Sequence, residues 1–80
     1  MTKDTCKVAV VGLGYIGLPT AAIIARSGCE VIGVDTSHKV IETINRGDIH
    51  IEEVDLDGLV QAVVARGTLR ASADMPVADV

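Results

Sequence analysis

Three short segments along the chain predict strands. They read K-V-A-V-V over Lys7–Val11, E-V-I-G-V over Glu30–Val34 and L-R-A-S over Leu69–Ser72. The first two are rich in β-branched residues and end at Gly12 and Asp35, a pattern typical of buried central strands in a parallel sheet. We therefore predict three strands over these ranges.

Between the strands the apolar residues recur at helical spacing. The first such segment, Tyr15–Ser27, is followed by Gly28, which favours a helix with a glycine after its carboxyl end. A second helix is predicted from Ser37, a hydroxyl residue suited to the N-cap, to Arg46 and Gly47. Both helices are amphipathic, so each is expected to pack one face against the sheet.

A third helix is predicted after a connecting loop over Gly47–Val54. Asp55 is the expected N-cap and Gly67 the expected terminator. Its predicted apolar face consists of Leu56, Leu59, Val60 and Val63.

These elements predict an α/β fold, a partial Rossmann-type doubly wound parallel sheet with element order β-α-β-α-α-β. Parallel neighbours need crossover connections, and right-handed crossovers give the strand order 3-2-1. Residues Asp74–Val80 are interpreted as the approach to a fourth strand, so residues 1–80 are expected to form the amino-terminal part of a larger domain. The free edge of the first strand predicts that the isolated chain dimerises, swaps or aggregates.

Composition and charge narrow the function classes. The 80 residues are 49% hydrophobic with a formal net charge of −4, and the 7 basic residues are scattered. No basic patch for nucleic acid or anionic lipid is visible, and no apolar run approaches the ~18 residues of a membrane span. The polar start, Met1–Cys6, lacks a signal-peptide core. We therefore expect a cytoplasmic protein with neither nucleic acid nor membrane as a partner.

The two cysteines, Cys6 and Cys29, match neither a C-x-x-C motif nor a zinc-site spacing. Isolated cysteines in an acidic soluble chain are more often reduced, buried residues than reactive groups, and we expect that state here. One alternative stays open. Parallel pairing of the first two strands brings their starts together, where the two residues are near enough for a disulfide.

The residues Gly12–Gly17 form a G-x-G-x-x-G motif between the first strand and the first helix. In this context Gly12 permits a tight turn, Gly14 leaves room for a pyrophosphate, and Gly17 lets the helix lie close to the sheet. Backbone N–H groups at the helix start bind an anion without a lysine. The alternative is that these glycines serve only the turn and the packing.

Asp35, at the end of the second strand, is expected to accept hydrogen bonds from the adenosine ribose. Its charge repels a 2′-phosphate, so the predicted cofactor is NAD rather than NADP. The predicted cofactor contacts are Gly12, Leu13, Gly14, Tyr15, Ile16, Gly17, Asp35, Thr36 and Lys39.

Several polar residues have two interpretations. Lys39 either reaches toward the adenosine or is a solvated helix residue. Tyr15 is expected to pack over the turn or to line the neighbouring cleft rather than act in catalysis. His38 and His50 lack partners at metal-ligand spacing, so no metal site is predicted.

Four segments resemble the amino-terminal part of the UDP-glucose/GDP-mannose dehydrogenase family. They are V-G-L-G-Y-I-G-L-P-T-A (Val11–Ala21), G-V-D (Gly33–Asp35), I-N-R-G-D-I-H-I (Ile44–Ile51) and L-R-A-S (Leu69–Ser72). The resemblance implies a homo-oligomeric enzyme that oxidises the C6 hydroxyl of a nucleotide sugar to a carboxylate with two NAD⁺. It also implies a substrate-loop role for Glu53, although relatives carry E-P-x-L where this chain has E-V-D-L.

No catalytic residue is expected within the chain, since the family's catalytic cysteine and its lysine and asparagine helpers lie further downstream, and neither Cys6 nor Cys29 matches that nucleophile. Two alternatives stay open. One is a 3-hydroxyacyl-CoA or 6-phosphogluconate type of dehydrogenase, against which the loop Ile44–Ile51 argues. The other is a regulatory module that senses NAD without transferring hydride.

Overall fold

All six predicted elements are present in a computed structural model that describes residues 6–75. Residues 76–80, and with them most of the predicted approach to a fourth strand, lie outside the described residues. The elements are β1 (Lys7–Val11), α1 (Gly17–Arg26), β2 (Glu30–Val34), α2 (His38–Asn45), α3 (Leu56–Arg66) and β3 (Leu69–Ser72).

The three strands form one parallel sheet in the order β1-β2-β3, which confirms the predicted order 3-2-1 counted from the other edge. The register places Val31 between Val8 and Leu69, so these side chains share one face of the sheet. Helix α1 packs against all three strands and against α3. Among residues 6–75, β1 pairs with β2 alone, so its other edge is open, as predicted.

The core lies between the sheet and the helices. Leu18 and Ala22 of α1, Ile44 of α2 and Val60 and Val63 of α3 have no exposed surface. Burying a large aliphatic side chain contributes about 1.5–3 kcal/mol relative to leaving it in water, so these contacts are what hold the helices on the sheet.

No helix within the described residues is long and apolar enough to cross a membrane.

The helix boundaries follow the predicted signals with two differences. Ser37 caps α2 as predicted, accepting a hydrogen bond from the N–H of Val40 at 3.3 Å. Helix α1 begins at Gly17, two residues after the predicted start, because Tyr15 belongs to the turn. Asp55 precedes α3 but makes no side-chain cap, since its backbone is left-handed with a φ of 63°. The capping role predicted for Asp55 is therefore wrong.

Cys6 and Cys29 form a disulfide, so the expectation of reduced, unpaired thiols is wrong. The cause is the strand register. Each cysteine directly precedes one of two paired strands, Lys7 pairs with Glu30, and the cysteine Cα atoms are 4.9 Å apart. The alternative that parallel pairing left open is the one found.

Among residues 6–75, the outer edge of β3 pairs with a side chain rather than with another strand. The Asn45 amide donates to the carbonyl oxygen of Ala71 at 3.0 Å, and its Oδ1 accepts from the N–H of Ala71 at 2.8 Å. The amide thus imitates the hydrogen bonding of a neighbouring backbone and fixes the end of α2 to β3. This contact gives a structural reason for the asparagine in the I-N-R-G-D segment.

We predict that Asn45→Ala destabilises the fold by about 1–2 kcal/mol, because two hydrogen bonds are lost and water replaces them only in part. Urea unfolding measures the change. Glu42→Ala is the matched control, since Glu42 is an exposed residue of the same helix. Equal stability of the two variants would show that the Asn45 contact contributes nothing.

Candidate cofactor site

The glycine turn lies at the carboxyl end of β1 and leads directly into α1. Gly12 has a φ of 89°, a left-handed conformation that favours glycine. Its N–H donates to the carbonyl oxygen of Val34 at 2.8 Å, which ties the start of the turn to the end of β2. The turn is therefore fixed to the sheet on both sides.

Gly14 and Gly17 are needed for opposite reasons. A Cβ at Gly17 would collide with the backbone carbonyl oxygen of Gly12, so only glycine allows the helix to start this close to the strand. A Cβ at Gly14 would meet nothing within 4 Å. Packing therefore does not require glycine at position 14, and its lack of a side chain leaves the outer surface of the turn bare.

The first turn of α1 is open to an anion. The N-cap residue, Ile16, makes no side-chain hydrogen bond, and the first turn contains no acidic residue. Within residues 6–75 the N–H groups of Gly14, Tyr15 and Ile16 have no hydrogen-bond partner. The side chains of Tyr15 and Ile16 are 65% and 82% exposed. Unpaired N–H groups at the positive end of a helix fit a diphosphate.

Asp35 lies at the end of β2 and holds the turn in place. Its Oδ2 accepts a hydrogen bond from the N–H of Leu13 at 3.0 Å, and its Oδ1 accepts one from the N–H of Ser37 at 3.0 Å. The Ser37 and Leu13 N–H groups lower the pKa of Asp35 below its usual value, while burial opposes them. Hydrogen bonds donated to the charged form stabilise it, so Asp35 is an anion at neutral pH.

Leu13 serves the site through its backbone. Its side chain is 1% exposed and packs on Gly33 so closely that a Cβ there would come within 2.5 Å of a Leu13 methyl carbon. Since the Leu13 N–H is donated to Asp35, Leu13 positions the turn, and its direct contact with the cofactor stays a prediction.

A cavity of about 210 Å³ connects the turn with the acid. Val11 and Val34 give it an apolar wall, while Gly12, Asp35 and Thr36 provide the backbone and the polar groups. An apolar wall beside an anionic hydrogen-bond acceptor suits the base and the ribose of an adenosine. The residues present therefore fit a dinucleotide whose diphosphate lies at the bare turn.

The other predicted residues lie further out. Lys39 is exposed on the first turn of α2. Glu53 is exposed in the loop between α2 and α3, where it lines a groove with Pro19 and Ile23 of α1. A larger depression of about 490 Å³ along this loop is lined by four carboxylates, including that of Glu53, which makes it unsuitable for a diphosphate.

His50 is exposed in the loop between α2 and α3. Among the described residues no group of three or more His, Cys, Asp or Glu side chains is arranged to hold a metal.

Comparison with known proteins agrees with this geometry. Residues 6–79 match the NAD binding domain of the UDP-glucose/GDP-mannose dehydrogenase family. The chain is 56% identical over 76 residues to the NDP-N-acetyl-D-galactosaminuronic acid dehydrogenase of Ralstonia nicotianae, covering 95% of this chain and 18% of the relative. It is 53% identical over 72 residues to the UDP-N-acetyl-D-mannosamine dehydrogenase of Escherichia coli K12, covering 90% and 17%.

Solved structures show the same fold. The UDP-N-acetyl-mannosamine dehydrogenase Cap5O from Staphylococcus aureus superposes with a TM-score of 0.88 at 41% identity, over 91% of this chain and 18% of that protein. A ternary complex of GDP-mannose dehydrogenase from Pseudomonas aeruginosa gives 0.82 at 39% identity, over 84% and 15%. The chain thus spans less than a fifth of the length of these relatives. It belongs to the UDP-glucose/GDP-mannose dehydrogenase family and corresponds to the NAD-binding part of that family.

Proposed function

We propose that this chain is the cofactor-binding segment of a nucleotide-sugar 6-dehydrogenase that oxidises UDP-N-acetyl-D-mannosamine to its uronic acid with two NAD⁺. The observation that carries the proposal is the Asp35 carboxylate, hydrogen-bonded to the N–H of Leu13 at the edge of a bare glycine turn. This arrangement binds the diphosphate through backbone and the ribose through a carboxylate.

The anionic state of Asp35 favours NAD⁺ over NADP⁺. Its carboxylate accepts two backbone hydrogen bonds and keeps lone pairs for the ribose hydroxyls. A 2′-phosphate in the same position would bring like charges together. Thr36 and Ser37, the next two residues, are neutral and provide no arginine to offset that repulsion.

The substrate class is supported by the relatives. Two of them carry names that specify an N-acetylated nucleotide sugar. NAD⁺, when bound, accepts one hydride, so oxidation of an alcohol to a carboxylate consumes two. In this proposal the chain holds and orients the cofactor, Glu53 contributes to the substrate loop, and the catalytic groups lie elsewhere in the parent enzyme.

We also infer a cytoplasmic homo-oligomer for the parent enzyme. NAD⁺ and nucleotide sugars are soluble metabolites of the cytoplasm. The homo-oligomeric state is the one that membership of the family implies, and the net charge of −4 gives no reason to expect nucleic acid as a partner.

Gly14→Ala should leave the fold intact and weaken NAD⁺ binding at least about tenfold, or ~1.4 kcal/mol. The methyl group meets no protein atom within 4 Å but extends over the bare turn. Calorimetric titration and urea unfolding measure the two effects. Gly58→Ala is the matched control, because a Cβ there also meets nothing within 4 Å. Equal NAD⁺ affinity in both variants would contradict the placement of the diphosphate.

Asp35→Asn should lower NAD⁺ affinity by about 10–100-fold, since hydrogen bonds to a charged group contribute about 1.5–3 kcal/mol. The preference for NAD⁺ over NADP⁺ should fall because the repulsion of the 2′-phosphate disappears. Calorimetric titration with both cofactors tests this prediction. Asp57→Asn is the control, an identical substitution in the first turn of α3. An unchanged cofactor preference would show that Asp35 does not face the ribose.

A chimera tests the proposed activity. Residues 6–75 replace the corresponding segment of the Escherichia coli UDP-N-acetyl-D-mannosamine dehydrogenase, and NADH is measured with UDP-N-acetyl-D-mannosamine. We expect about two NADH per uronic acid formed, and loss of most activity when the chimera carries Asp35→Asn. A folded chimera that binds NAD⁺ without producing NADH would favour a regulatory NAD-sensing module.

A further inference from the structure

We propose that Cys6 and Cys29 form a reversible thiol–disulfide couple that exchanges with low-molecular-weight thiols and sets the stability of the β1-α1-β2 unit. The couple lies at the amino ends of β1 and β2. The proposed cofactor site lies at the opposite, carboxyl ends of these strands. The disulfide follows from the structure, whereas its reversibility also rests on the cytoplasmic setting of the proposed function.

The backbone brings the two cysteines together independently of the bond between them. Lys7 and Glu30 are partners in the β1-β2 ladder, and the N–H of Glu30 donates to the carbonyl oxygen of Cys6 at 2.9 Å. The resulting Cα separation of 4.9 Å lies inside the range that disulfides span. The β1-β2 ladder therefore holds the two cysteines at a distance that a disulfide spans.

The pair is accessible to a small thiol. Both cysteines are partly exposed, unlike the fully buried core residues. The adjacent turn, Ser27 and Gly28, is exposed, and a Cβ at Gly28 would meet nothing within 4 Å. The turn that precedes Cys29 is thus open to solvent, and a small thiol reaches the partly exposed pair from that side.

A small thiol acts as the reductant in this exchange. Its thiolate attacks one sulfur of the pair, the protein S–S bond breaks, a mixed disulfide forms, and the other cysteine leaves as a thiolate that takes up a proton. A second small thiolate then attacks the mixed disulfide, and the first cysteine is released. Two small thiols become one small disulfide, and two electrons and two protons pass to the protein.

The effect of the couple is on stability rather than on cofactor contacts. The bond closes a loop with a sequence separation of 23, which contains β1, the glycine turn and α1. The cofactor turn is roughly 16 Å away, the length of a five-residue strand. Reduction therefore increases the conformational freedom of the unfolded chain, while the cofactor site of the folded chain keeps its geometry. Disulfides of cytoplasmic proteins are usually transient, which fits a sensor of the thiol pool.

The first test measures reversibility. The 80-residue chain is equilibrated with glutathione from fully oxidised to fully reduced, quenched with acid, labelled with a maleimide and weighed by mass spectrometry. We expect two labels to appear together at an intermediate ratio, with no chain-to-chain disulfide on a non-reducing gel. A pair that stays oxidised or stays reduced at every ratio, or a bond between chains, overturns the proposal.

The second test measures the consequence. We expect reduction to raise the unfolding equilibrium constant by about a hundred- to a thousandfold in urea, as loop closure of this size predicts. The Cys6→Ser/Cys29→Ser double variant should not respond to reductant. NAD⁺ affinity at low urea should change less than about twofold between the two states, which separates this proposal from the cofactor site. Equal unfolding of the oxidised and reduced chains would overturn it.

Discussion

The hydrogen bond from the N–H of Leu13 to the carboxylate of Asp35, at 3.0 Å, organises the proposed cofactor site. It joins the turn after β1 to the end of β2, so the two parts of the proposed cofactor site, the bare turn and the carboxylate, form one unit. Because the donor stabilises the charged carboxylate, the same bond that fixes the turn keeps Asp35 ionised. Geometry and charge selectivity for NAD thus have a common origin.

Two glycines make that bond possible by removing side chains in the interior of the fold. Gly33 leaves room for the Leu13 side chain to pack on β2, which carries the Leu13 N–H toward Asp35. Gly17 lets α1 start against the carbonyl of Gly12. Gly14 has a different role, since the protein leaves open space around it. The three glycines of the G-x-G-x-x-G motif therefore differ in what they do: Gly12 allows the turn, Gly17 allows close packing, and Gly14 leaves the proposed diphosphate site bare.

The sequence predicted the strands, their order and the cofactor turn because these depend on local signals: β-branched runs, glycines and a cap at Ser37. It did not predict the contacts that depend on tertiary register. The Asn45 pairing with Ala71 joins segments far apart in sequence. Asp55 looked like an N-cap by residue type, but its left-handed backbone removes that role.

Parallel pairing separates the two proposed functions of this sheet. In a parallel sheet, the carboxyl ends of all strands lie on one side and the amino ends on the opposite side. Asp35 and the glycine turn lie at the carboxyl ends of the strands, and Cys6 and Cys29 lie at the amino ends. A disulfide at the amino ends restricts the unfolded chain and leaves the cofactor site at the carboxyl ends unchanged. Redox state and cofactor binding are consequently coupled only through the fraction of chains that are folded, because NAD⁺ binds the folded chain alone.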